Sequence, residues 1–102
     1  MPDFHGYPIR VVGIAWFRKE DYPAILKISE DADKFARTWD EWIKRAEKAE
    51  KRLQNEGHMV ERVYIDPDTF PDWCRKEGLS IGTNARNKFA ASTVAEKYRT
   101  RG

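Results

Sequence analysis

The stretch I-R-V-V-G-I-A-W-F, residues 9–17, decides the fold. It is rich in β-branched and aromatic residues, and Arg10 is its one charged member. Such a run reads as a strand buried on both faces. Its counterpart is M-V-E-R-V-Y-I, residues 59–65. There Met59, Val63 and Ile65 share one face, Val60 and Tyr64 the other, while Glu61 and Arg62 bring the first half near solvent. Roughly forty residues lie between the two segments, enough for parallel pairing through a helical crossover. Antiparallel pairing is equally compatible with that spacing.

The intervening residues read as helices. Arg18, Lys19, Glu20 and Asp21 end the apolar run and start a short helix with Tyr22, Ile25, Leu26 and Ile28 inside, and Pro23 fits its first turn. Ser29 to Lys34 reads as a polar connector. From Thr38 to Asn55 the signals agree. Thr38 and Glu41 have capping-box spacing, and Trp39, Trp42, Ile43, Ala46, Ala49 and Leu53 form one apolar stripe. Gly57 stands where a left-handed helix terminus belongs. After Ile65, a short helix through Phe70, Trp73 and Cys74 ends at Gly78. A final helix starts at Thr83 or Asn84 and reaches Arg99, with Ala91, Val94, Ala95 and Tyr98 inward and Phe89 at the edge.

The order is βααβαα, an α+β domain over residues 1–102 with loose ends at 1–7 and 100–102. Two strands covered by about four helices leave both strands as sheet edges, and a two-stranded sheet is marginal alone. Pairing across a homodimer, into a four-stranded sheet, would resolve this.

Composition narrows the setting. The chain has 102 residues, 35% charged, with a formal net charge of +2. Residues 1–66 carry twelve basic and thirteen acidic side chains, and residues 67–102 seven and four, so only the last third is basic. A single cysteine, Cys74, excludes an intrachain disulfide and a cysteine-based zinc site. The N-terminal residues lack a secretion signal, and no apolar run is long enough to span a bilayer. These features predict a reducing, cytoplasmic setting.

Individual motifs carry little chemistry. Asp66-Pro67-Asp68 after a strand resembles the nucleophile motif of haloacid-dehalogenase-like phosphatases in its paired carboxylates. Thr69, however, comes one position too early, no glycine-rich loop follows, and 32 residues remain after Phe70. Asp66 or Asp68 as a cap for the next helix is the simpler reading. His5 and His58 are the only imidazoles and lack helical pairing, so no metal or cofactor is expected. Cys74, spaced with Phe70 and Trp73, reads as a buried small hydrophobe. Arg86, Lys88, Lys97 and Arg99 give the last helix a basic character. Arg86 and Lys97 share one of its faces, read here as a solvated face and alternatively as a phosphate-binding one.

The residues therefore point first to a non-catalytic protein-interaction or self-associating domain, with Trp39, Trp42 and Tyr64 as interface anchors. A nucleic-acid-binding accessory protein using Arg86, Lys88, Lys97 and Arg99 is one alternative. A small enzyme or ligand-binder with a cleft near Tyr64, Asp66 and Asp68 is another. No membrane partner is expected.

Overall fold

The computed structural model of the chain describes residues 10–99, the side chain of Arg99 excepted; Ile9 and His5 lie outside them. Strand β1 spans Val11–Trp16 and strand β2 Met59–Tyr64. They pair in parallel, Val11 against Met59 and Trp16 against Tyr64, which settles the direction that the sequence left open. Among the described residues the sheet has these two strands. Helix α1 (Tyr22–Ile28) and helix α2 (Trp39–Asn55) fill the crossover, and α3 (Phe70–Glu77) and α4 (Thr83–Arg99) follow β2. Single 3-10 turns occupy Lys19–Asp21 and Ala32–Lys34.

Local chemistry explains the boundaries. Thr38 Oγ1 accepts the Glu41 N–H at 3.2 Å, which starts α2. Gly57, at φ 93°, and Gly78, at φ 71°, take the left-handed conformation that ends α2 and α3. The start of α3 differs from expectation. Asp66 Oδ1 accepts the Asp68 N–H at 2.9 Å in an Asx turn, and the Asp66 backbone carbonyl, not a carboxylate, accepts the Phe70 N–H. Neither Asp66 nor Asp68 caps α3 through its side chain.

Strand alternation divides the packing into two layers. Val11, Gly13 and Ala15 face α4 together with Glu61 and Val63; Val12, Ile14 and Trp16 face α2 together with Val60 and Arg62. The α4 layer is tight because Gly13 has no side chain. A Cβ there would lie 2.6 Å from the Ala90 carbonyl oxygen and from Val94. Ala90, fully buried, joins Val63 and Val94 in a small cluster at this crossing. The inward face of α4 is thus Arg86, Ala90, Val94 and Tyr98, a row at four-residue spacing. Ala91 and Ala95, read as inward from the sequence, are exposed. Close approach at Gly13 selects the small Ala90 for contact and turns Ala91 and Ala95 outward.

Beyond the strand ends lies the larger core. Phe17 and Ile65 pack there with Tyr22 and Ile25 of α1 and Phe70 and Cys74 of α3. Trp16 and Phe17 are buried, but Val11 to Ala15 are only partly so, less than the sequence implied for β1. Among the described residues no helix is long and apolar enough to cross a membrane.

Candidate functional site

The backbone phase of β1 comes from its two terminal bonds to β2. Met59 N–H donates to the Arg10 carbonyl at 2.9 Å, and Ile65 N–H donates to the Trp16 carbonyl at 3.0 Å. Even-numbered residues of β1 therefore turn their backbone groups toward β2, and Val11, Gly13 and Ala15 turn theirs to the outer edge. Phe17 continues that outer series, and its carbonyl accepts the Trp39 indole N–H at 2.9 Å. One indole thus closes the far end of the edge.

Above this edge lies a cleft of about 280 Å³. Ile14 to Phe17 form its floor, Trp42, Ala46 and Ala49 of α2 one wall, and Phe35 with Arg86 and Asn87 the other. Aromatic contacts make the walls firm: Trp42 meets Trp16 edge-on at 5.2 Å and Phe17 at 4.7 Å, and Phe35 stacks on Phe17 at 5.7 Å. Ala46 and Ala49 are the small members of the α2 stripe, and their size leaves the space open.

Arg86 supplies the polar end. It is 6% exposed, and its guanidinium lies 4.6 Å from the Phe35 ring centre. It donates to Asp31 and, at 3.3 Å, to Ser29 and Thr83. Thr83 donates to the same Asp31 oxygen at 2.8 Å, while Asp31 Oδ1 is buried without a hydrogen-bond partner among the described residues. Burial pushes the Asp31 carboxyl up, but the hydrogen bonds from Arg86 and Thr83 outweigh it and hold the group below the ordinary range. This buried pair ties the connector after α1 to the first turn of α4.

The remaining candidates are dispersed. Trp39 and Trp42 share the α2 stripe and border the cleft region. Tyr64, 41% exposed, lies one strand away opposite Trp16, with the Arg18 guanidinium 4.3 Å from its ring centre. Arg86 and Lys97 do share a side of α4 but not its exposure: Arg86 is buried on Asp31, a correction to the solvated placement, whereas Lys97 is exposed, as expected, and bonds Glu61 at 3.0 Å. Lys88 pairs with Glu77 at 3.3 Å, and the side chain of Arg99 lies outside the described set. Asp66 and Asp68 are exposed beside Tyr64. Cys74 is buried, which pushes its thiol up. Sequence reasoning missed Ser29 and Asp31, having read 29–34 as a connector, and gave Phe35 no role. The signal available was Arg86 itself, in line with Ala90 and Val94 and so in need of an inward partner.

Comparisons with protein-family models, with curated proteins and with solved structures found no match.

Proposed function

We propose that this chain is a non-catalytic interaction domain that takes an extended segment of a partner protein along the outer edge of β1. The observation that carries the reading is the coincidence of that edge with an aromatic cleft. Backbone groups of Ala15 point outward where Trp16, Trp42 and Phe35 offer apolar walls, and those of Gly13 and Val11 continue the same edge beyond the cleft. Added strands gain affinity from main-chain hydrogen bonds and specificity from pockets for alternate side chains. The space beside Ala46 and Ala49 suits one bulky apolar side chain of the segment. Trp39, bonded to the Phe17 carbonyl, caps the groove and limits its length. Arg86 serves as a fixed wall, since its charge is met by Asp31. A reducing, cytoplasmic setting is part of the reading.

The test is selection from a displayed library of extended peptides, followed by amide spectra of the complex. Shifts should concentrate at Val11, Gly13 and Ala15 and in the indoles of Trp16 and Trp42. Ala15→Pro removes one outward N–H without touching the bonds to β2, and should weaken binding at least tenfold, about 1.4 kcal/mol. Equal binding by this variant, or shifts confined elsewhere, would refute the groove.

A further inference from the structure

The opposite edge of the sheet has a different occupant. We infer that β2 pairs antiparallel with β2 of a second copy of this chain, about a two-fold axis at Arg62, forming a four-stranded sheet across a homodimer. The inference shares with the reading above only the premise that strand edges are the working surfaces.

Three observations support it. The first is exposure. Met59, 54% exposed, and Tyr64, 41% exposed, are the exposed large apolar residues among those described, and both belong to β2. Since odd-numbered residues of β2 turn their backbone groups to β1, Val60, Arg62 and Tyr64 turn theirs outward. Pairing centred on Arg62 uses all three, with about six new backbone bonds. It sets Val60 against the partner's Tyr64, and Met59 diagonally beside the partner's Val63.

The second is charge. An arginine on an edge strand ordinarily discourages pairing. Here Glu50 holds Arg62 by two bonds, at 2.8 and 2.9 Å, and its guanidinium lies 4.0 Å from the Trp16 ring centre. The charge is already matched before a second copy arrives. Beside Glu50 the same surface of α2 carries exposed Glu47 and Lys51 about one turn apart, so each copy offers both signs of charge to the other near the axis.

The third is helix spacing, which selects this edge over the other. Helix α2 reaches both strands, touching Trp16 through Trp42 and Arg62 through Glu50. Joined at β2, two such helices would stand about two strand spacings apart, roughly 10 Å, a normal packing distance. Helix α4 is nearest the sheet at Gly13, over β1. Joined at β1, two copies of α4 would stand roughly 5 Å apart, too close for helices. The β1 edge therefore remains available for a segment without a helix of its own.

The test is sedimentation of the full chain from low micromolar to roughly 0.5 mM, with amide exchange measured at both extremes. The mass should rise toward twice 12.0 kDa. Val60, Arg62 and Tyr64 amides should gain protection with concentration, while Val11, Gly13 and Ala15 amides should not. Tyr64→Lys, at an exposed position, should weaken the dimer at least tenfold and leave peptide binding at β1 unchanged. A mass of 12.0 kDa throughout would overturn the inference. So would an undiminished dimer in Tyr64→Lys, or one that protects the β1 amides instead. Loss of peptide binding in Ala15→Pro with the dimer intact tests the β1 groove alone.

Discussion

Gly13 is the point of closest approach between sheet and helix. Its φ is not the constraint; proximity is. An added methyl group would lie 2.6 Å from a backbone carbonyl of Ala90, which can move only with α4 itself, and equally near the side chain of Val94. Gly13→Ala is therefore expected to destabilise the fold by about 1–3 kcal/mol, seen as a lower urea midpoint at unchanged slope. Shortening Val94 to Ala in the same chain should restore little, because it relieves the side chain and leaves the carbonyl where it was. Cys74 allows a second residue-scale test. It is 1% exposed, and burial raises its thiol pKa, so little thiolate is presented to solvent. Native protein should react slowly with a thiol reagent and unfolded protein quickly. Fast native labelling would show that α3 leaves the core readily.

At the scale of elements, β1 has two chemically different sides, and proline can distinguish them. Ile14 turns its N–H to β2, whereas Ala15 turns its own to the outer edge. Ile14→Pro should cost about 1–3 kcal/mol more in stability than Ala15→Pro, compared by chemical denaturation, because only the first breaks a ladder bond and leaves its acceptor unpaired. Similar losses would mean that the phase of the strand is wrong. Much of this level was legible beforehand. The Trp39 to Leu53 stripe and the Thr38 cap defined α2, and the glycines at 57 and 78 marked where two helices end. The inward face of α4 was not legible, because its small residues occur at 85, 90, 91 and 95 and periodicity alone does not rank them. What ranks them is Gly13, more than seventy residues earlier in the chain. For the same reason Arg86 read as a solvated cation. Its inward turn depends on Ser29 and Asp31, in a segment whose polarity suggests nothing more than a connector. The cleft was half legible: Trp42 was identified as an anchor, but its wall of small Ala46 and Ala49 has meaning only once β1 lies beneath it.

At the scale of the whole molecule, the layers are held together by carboxylates that each reach to another element. Asp31 joins the connector after α1 to Arg86 of α4, Glu50 joins α2 to Arg62 of β2, and Glu61 joins β2 to Lys97 and Tyr98 of α4. All three are held below their ordinary range. For Asp31, burial acts upward and is outweighed by Arg86 and Thr83; for Glu50 the cause is the Arg62 hydrogen bond, and for Glu61 those from Tyr98 and then Lys97. The sign follows directly. A carboxyl with a lower pKa folded than unfolded contributes stability above its unfolded value, and that contribution is lost as pH falls through the folded one. Stability should thus be nearly level above pH of about 5 and decline from roughly pH 4 downward as the unfolded chain takes up protons first. The three do not weigh equally. The Asp31 and Arg86 side chains are 15% and 7% exposed, whereas Lys97 is 60% exposed and its bridge is open to screening. Asp31→Asn should therefore cost about 2–3 kcal/mol at neutral pH, insensitive to salt, and flatten the acid limb of the stability curve. Lys97→Met should change stability far less than Asp31→Asn, and that change should fade with salt. Urea titrations at a series of pH values, for both variants and the parent, separate the two. An unchanged acid limb in Asp31→Asn would show that the buried pair does not hold the start of α4 in place.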